Sequence, residues 1–418
     1  MSGKIVQVNP VLRTNTSTGR IMQEIGALAV SEGWRNWCAY GKGRDGIRPC
    51  TTEILPVGSK WSTCLHGLQT RVFDRHGLGS AGATREFVKQ LREIDPDIIH
   101  IHNIHGYFLN YPVFFNYLRD SDVKVIWTVH DCWLYTGHCY HYSYIGCDKW
   151  QTGCGGCPQR GAFPRSLLID RSRRNFIDKR HYFTSVPKDR MTIVPVSHWM
   201  RGEMSRSFLK DYPFQVIHNG INCDIFRPYD DDAEVSRTLG IEPGKKIILG
   251  LASIWLPEKG IDDFIEMAGM LRPDETIVLV GVDPATAKRL PASIKWIRRT
   301  ENIETLAKLY SAATAFVNPT YQDNYPTVNL EAIACGTPVV TYRTGGSVES
   351  VTPATGRIVE QHDTEGLVAA VREIAAAGKG AFAGECRAFA LANFRKEDRY
   401  RDYLRLYESL VRPKHMIL

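Results

Sequence analysis

A rhythm that runs through the chain and then starts again constrains the fold more than anything else in the sequence. Short apolar runs alternate with stretches of helical periodicity. "KIVQV" (4–8) reads as a buried strand, and "IMQEIGALAVSEG" (21–33) as a helix closed by Gly33. Further strands are expected at "NWCAY", "DIIHIHN", "VKVIWTVH", "MTIVPVS" and "FQVIHNG". Strands that recur between helices build a parallel, doubly wound sheet, and such sheets bind ligands beyond the carboxyl ends of their strands. After the polar, proline-containing stretch 226–244, "KKIILGLAS" (245–253) opens a second series, continued by "TIVLVG", "IKWIRR", "TAFVNPT" and "TPVVTY". Two α/β domains follow, with a boundary drawn at 225/226: residues 1–225, which include a cysteine-rich insert at 132–158, and residues 226–395. A terminal helical segment, 396–418, carries Tyr400, Tyr403, Leu404, Leu406, Tyr407 and Leu410 on a mostly helix-spaced face, which must pack on something.

The length of 418 residues suits two cores, and 43% hydrophobic with 23% charged residues is ordinary for a soluble globular chain. A net charge of +7 is mild, and its only loose concentration is Arg165, Arg171, Arg173, Arg174, Lys179 and Arg180. No long basic stripe of the kind a nucleic-acid binder needs is present, while anionic phosphates or an anionic membrane surface suit such a cluster. "MSGKIVQVNP" leads straight into a strand pattern without a signal-peptide pattern, and no apolar run approaches 18 residues. The expected location is cytoplasmic, with peripheral contact at the membrane face. Eleven cysteines in that setting are free thiols or metal ligands.

The most informative stretch is "YQDNYPTVNLEAIACGTPVVTYRTGGSVES" (321–350). A strand ends at Pro319, Asp323 falls in the following loop, and Pro326 suits the first turn of a helix. Glu331 lies about one turn inside that helix, which ends at Gly336 before the next strand. The unpaired N–H groups of Thr327 and Val328 point out of the positive helix end, a place for a diphosphate.

This phrase resembles the donor-site signature of retaining glycosyltransferases of family 4, which have two Rossmann-like domains facing a cleft (the GT-B fold). The resemblance implies that Asp323 holds the donor sugar's hydroxyls, with a side chain one methylene shorter than the family's glutamate. It implies that Glu331 binds the nucleotide ribose, and that Asn324, Tyr325, Thr327 and Val328 complete the donor loop. "LASIWLPEKGIDDFIEM" (251–267) resembles the family's "KG" segment, which gives Lys259 the part of neutralising the leaving diphosphate. Ser253 stands where the family often has an arginine. "VIHNGINCDIFRP" (216–228) resembles the interdomain hinge, and the terminal helix would then cross back to the first domain. In the first half, "TSTGRIMQEIG" (16–26) aligns Gly19 with the family's donor loop, and "TVHD" (128–131) aligns His130 with the histidine that faces the donor sugar.

The function implied is transfer of a sugar from a UDP- or GDP-sugar with retained anomeric configuration. Lys259 and the helix end would stabilise the leaving group, so no catalytic metal is expected. "HDCW..TGHC" and "C..W.TGC..CP" further resemble enzymes that build colanic-acid-like and capsular polysaccharides on lipid-linked saccharide acceptors. A two-Rossmann sugar-nucleotide epimerase is the rival within enzymes. A zinc-containing nucleic-acid or protein binding module is the rival of another class. Cys139, Cys147, Cys154 and Cys157 follow C-x7-C-x6-C-x2-C, with Cys132 outside the quartet. Their loop is rich in Gly, Tyr and polar residues with few aliphatics. A structural Zn2+ would order it beside the acceptor side of the cleft, away from the reacting atoms.

Overall fold

The structure is a computed structural model and describes residues 3–13, 17–42, 52–230 and 232–411. The chain divides into two compact units, Met1–Ile217 with Tyr400–Leu418, and His218–Arg399. The first contains strands β1 (Lys4–Val11), β2 (Arg35–Lys42), β3 (Glu53–Pro56), β4 (Ile98–Ile101), β5 (Lys124–Val129) and β6 (Met191–Pro195). Its helices are α1 (Ser17–Ser31), α2 (Lys60–Phe73), α3 (Ala81–Ile94), α4 (Tyr111–Asp120), α5 (Ser172–Phe183) and α6 (His198–Met204). The second contains β7 (Lys246–Leu251), β8 (Glu275–Val280), β9 (Ile294–Ile297), β10 (Ala315–Asn318), β11 (Val339–Tyr342) and β12 (Gly356–Val359). Its helices are α7 (Asp232–Thr238), α8 (Ile261–Ala268), α9 (Pro284–Ala287), α10 (Ile303–Ala312), α11 (Thr327–Ala334), α12 (Thr364–Ala377) and α13 (Gly380–Asn393). The last helix, α14 (Lys396–Leu410), belongs to the first unit from Tyr400 onward.

Both six-stranded sheets are parallel, in the orders β3-β2-β1-β4-β5-β6 and β12-β11-β10-β7-β8-β9. Each order reverses once, between β1 and β4 and between β7 and β10. A doubly wound sheet offers its ligand crevice at that reversal, beyond the carboxyl ends of the two strands. In the second unit those ends lead directly to the segments that contain Lys259 and Asp323.

Strand burial explains the near-continuous apolar runs. Val6, Val8, Ile99, Ile101, Val125 and Trp127 pack in one core with Phe87, Phe114 and Phe115. On another face, Ile5, Ile98, Ile126 and Val194 meet Tyr400, Tyr403, Leu404, Leu406 and Tyr407 of α14. Tyr407 also bonds through its hydroxyl to Nδ1 of His100 at 2.7 Å, so this aromatic face is fixed by polar contacts as well.

Several expectations need correction. The units divide at 217/218 and at 399/400, not at 225/226 and 395/396. The second unit takes in the hinge phrase from His218 onward because Ile221 pairs with the chain beside Arg395, and a Cβ on Gly220 would sit 2.5 Å from Lys396 Cα. "FQVIHNG" is not a full strand. Its first residues run beside β6 through single bonds such as Gln215 N to Ile193 O at 3.0 Å. The helix expected at 21–33 starts earlier, at Ser17, and ends at Ser31. The short strands β3 and β12 carry too few residues for alternation to reveal them. Lys179 leaves the surface basic cluster altogether: it is buried, and its Nζ donates to Trp133 O at 2.6 Å and Thr136 O at 2.9 Å.

Candidate functional site

The site in the second unit begins with two turns held against each other. After β7 the chain reaches the tight turn Pro257–Lys259 and then Gly260 at φ +74°. A Cβ at Gly260 would lie 2.3 Å from Pro319 O, so only glycine allows this turn to touch the end of β10. The close approach carries Lys259 to the neighbouring loop. Its Nζ lies 2.8 Å from Asp323 Oδ2, 3.4 Å from Gln322 O and 3.5 Å from Thr320 Oγ1. Lys259 and Asp323, 64 residues apart, thus form a partly buried ion pair at the sheet's reversal point.

The loop between β10 and α11 is braced from behind. Asp323 O accepts from Gly346 N at 3.2 Å. Asn329 takes a bond from Asn318 at 2.9 Å and donates to Ser347 Oγ at 3.0 Å and Ser350 Oγ at 3.2 Å. Pro326 is the N-cap of α11 and not a member of its first turn as expected, since its ψ of 114° is extended. The first helical residues are therefore Thr327 and Val328, whose N–H groups have no acceptor within the helix. Glu331 sits one turn in, buried, and accepts a bond from Tyr310 Oη at 3.2 Å.

Not every expected residue presents its side chain. Tyr325 is buried with its ring stacked on His218, centroids 4.7 Å apart, and Asn324 is buried too. Their backbone is what the loop can offer. Glu349 Oε2 lies 3.1 Å from His218 Nε2, and neither residue was legible as part of this cluster from sequence. Ser253 is exposed beyond the end of β7.

In the first unit, His130 follows β5 and has a polar chain behind it. Its Nε2 stands 3.3 Å from His102 Nδ1, and His102 Nε2 stands 2.9 Å from Gln7 Oε1. The Gln7 amide donates to Met22 O and Asn36 Oδ1, so its oxygen is the acceptor for His102. That leaves His102 Nδ1 as an acceptor and puts the hydrogen of a neutral His130 on Nε2. Burial lowers His130 to a pKa of about 4, which keeps the ring neutral near pH 7. The adjacent Asp131 is 2.7 Å from His105 Nε2; burial pushes against its charge, but His105 and the Trp133 N–H hold the carboxyl below its ordinary value. Gly19 lies inside the first turn of α1, buried, and is not a loop residue; residues 14–16 before it lie outside the described residues.

The cysteine-rich segment is no separate module. Tyr135, Cys139, Tyr142 and Trp150 join the first unit's core, so aromatic rings supply the packing that the scarcity of aliphatics obscured. Cys139, Cys147, Cys154 and Cys157 all border one cavity of about 20 Å³. Among the described residues no helix is long and apolar enough to cross a membrane.

Residues 63–225 match the family described as Glycosyltransferase Family 4, and residues 245–377 match Glycosyl transferases group 1. A protein of Escherichia coli K12 that carries the name colanic acid biosynthesis glycosyl transferase WcaC is 24% identical over 417 residues, 97% of this chain and 100% of that one. Alpha-maltose-1-phosphate synthase of Mycolicibacterium smegmatis is 29% identical over 201 residues, 43% of this chain and 52% of that one. Among solved structures, sucrose-phosphate synthase of Thermosynechococcus elongatus superimposes with a TM-score of 0.70 at 19% identity, over 98% of this chain and 99% of that one. Anabaena HepE, solved with UDP-glucose, gives 0.65 at 15% identity, over 97% and 100%. Two matched families in tandem, on two doubly wound parallel sheets, make this chain a member of the family 4, group 1 glycosyltransferases of GT-B type.

Proposed function

We propose that the protein transfers a sugar, with retention of anomeric configuration, from a nucleoside diphosphate sugar to a lipid-linked saccharide during surface-polysaccharide synthesis. The observation that carries this reading is the Lys259–Asp323 pair set beside the open N-terminus of α11, with Glu331 buried one turn behind. Similarity to HepE, whose solved complexes contain UDP and UDP-glucose, supports a uridine donor.

The division of labour follows from charge. As the bond between anomeric carbon and diphosphate breaks, negative charge grows on the leaving oxygens. Lys259 and the N–H groups of Thr327 and Val328 meet that charge without needing to reorganise. Asp323 accepts hydrogen bonds from the sugar's hydroxyls, and its ion pair holds Lys259 aimed before the donor arrives. Glu331 binds the ribose in ground and transition states alike. The acceptor hydroxyl adds to the anomeric carbon on the face the diphosphate leaves, and its proton passes to the departing phosphate oxygen. This scheme assigns no step to a metal ion. Ser253, Asn324 and Tyr325 belong to the donor loops. His130 and Gly19 of the first unit are assigned to the same reaction on the family resemblance.

The cysteine-rich segment takes the part of a metal-clipped scaffold whose thiolates come from Cys139, Cys147, Cys154 and Cys157. A peripheral membrane contact finds support in α2, which turns an apolar stripe outward: Trp61, Leu65 and Leu68 are 85%, 57% and 58% exposed. Leu167, Leu168 and Ile169 are exposed beside it, tied on by Leu167 N to Arg71 O at 2.7 Å. Arg71, Arg75 and Arg165 are exposed in or next to these segments, as are Arg173, Arg174 and Arg180 on α5, and such a mixture suits an anionic bilayer surface.

The test is a panel of UDP- and GDP-sugars offered with saccharide acceptors, read by nucleoside diphosphate release and by the anomeric proton coupling of the product. An α-donor giving an α-linked product is expected. An inverted linkage refutes retention, and an isomerised donor formed without acceptor establishes the epimerase instead.

A further inference from the structure

The cysteine cavity has a fifth donor that no thiol spacing reveals. His138 borders the same cavity of about 20 Å³ as the four cysteines, a space the size of one water or one ion. The residue is 2% exposed. Its Nδ1 lies 2.7 Å from Asp74 Oδ1, while its Nε2 is buried and has no hydrogen-bond partner. In the neutral ring the hydrogen therefore sits on Nδ1 and a lone pair on Nε2.

Asp74 is itself fixed. It caps the end of α2 in the left-handed region, at φ 52°. Its Oδ2 accepts from Arg171 N at 2.9 Å, and its carbonyl accepts from Asn175 Nδ2 at 2.8 Å. A histidine with one nitrogen held by an anchored carboxylate and the other without a partner, in a residue that borders the cavity of four cysteines, has the arrangement of a metal ligand. A hydroxyl or amide partner for Nε2 would satisfy the ring without metal, yet Nε2 has none.

We propose that His138 Nε2 is a first-rank ligand of a tetrahedral Zn2+ site, joined by three of the thiolates of Cys139, Cys147, Cys154 and Cys157, with Asp74 as its positioning carboxylate. The proposal rests on the reading that this cluster binds a divalent metal, and it changes the ligand set from four sulfurs to three sulfurs and one nitrogen. Binding releases the protons of the three thiols. Cys139 and Cys157 already stand in hydrogen-bonding contact, and Gly137 N donates to Cys154 Sγ at 3.1 Å. Among the described residues no three of these donors lie within 4.8 Å of one another. Sulfurs around zinc at bonds of about 2.3 Å stand about 3.8 Å apart, so the ion draws the loop inward. The clip would also steady the exposed apolar loop 163–169, because Cys157 N donates to Asp170 Oδ2 at 2.7 Å.

The experiment uses the full chain expressed with zinc. Metal content is measured first, and zinc-edge X-ray absorption then counts the ligands. One zinc per chain is expected, with three sulfurs at about 2.3 Å and one nitrogen at about 2.0–2.1 Å. Asp74→Asn should weaken zinc in chelator competition by about 10–100-fold. His138→Cys should retain zinc and shift the count to four sulfurs. A wild-type site of four sulfurs and no nitrogen overturns the role of His138 and leaves the metal clip standing. Protein that retains no zinc overturns both.

Discussion

Replacing Gly260 with alanine probes the contact that brings Lys259 to Asp323. The new Cβ would stand 2.3 Å from Pro319 O and 2.6 Å from Pro319 Cγ, on a backbone with φ +74°. The left-handed conformation costs a residue with a side chain about 1–2 kcal/mol. Forcing the two turns apart adds about 1–3 kcal/mol, the usual range for overpacking. Gly240 of the same unit supplies the control: its φ is +59°, but a Cβ there meets nothing within 4 Å. Gly240→Ala should therefore show the backbone cost alone, and Gly260→Ala should be about 1–3 kcal/mol less stable than it. For a unit the size of His218–Arg399 that difference lowers Tm by roughly 2–12 °C. Because Lys259 precedes Gly260 and Thr320 follows Pro319, the displacement falls on the ion pair. Nucleoside diphosphate affinity should drop in Gly260→Ala and stay at the wild-type value in Gly240→Ala. Thermal melts and calorimetric titration of both proteins decide the matter. Equal melting and equal affinity would refute the close approach of the two turns.

Lys259→Ala should lower turnover by about 10²–10³ with smaller change in donor affinity, because its partner charge grows during the reaction; near-wild-type turnover would remove it from the leaving-group site. Acid should destabilise the first unit through His66, whose Nε2 accepts from Gly77 N at 3.1 Å and Gly79 N at 3.2 Å. Burial lowers this ring from 6.5 to about 4, so its stability contribution is present above pH 6.5 and is lost as pH falls toward 4. The loss amounts to about 3 kcal/mol, and urea midpoints between those pH values should show a slope that His66→Gln reduces; an unchanged slope would exclude the histidine. Trp61→Ser with Leu65→Ser should weaken binding to vesicles rich in anionic lipid while the Tm holds, since both side chains are exposed; unchanged vesicle binding would detach α2 from the membrane.

The donor loops were legible because their chemistry is written locally. A strand, a proline, a carboxylate and a helix of small residues stand in unbroken order from Ala315 to Ala334. The pairing of Lys259 with Asp323 was not, because a 64-residue separation appears only when strand order places β7 beside β10. Lys179 misled for a related reason: it occupies a run of basic residues, but helical geometry turns it inward over the Trp133 ring, 3.5 Å from Nζ to the centroid. The cysteine spacing exposed the thiols and concealed His138, since a ring nitrogen's meaning depends on its partner, here Asp74 across 64 residues. Likewise the tautomer of His130 depends on Gln7 and His102, which lie on other strands or their ends.

The most direct test of the donor site is a crystal structure with a bound nucleoside diphosphate. Its phosphates are expected within hydrogen-bonding distance of Lys259 Nζ and the N–H groups of Thr327 and Val328, with the ribose hydroxyls on Glu331. A nucleotide bound elsewhere, or with its phosphates away from the start of α11, would contradict the assignment.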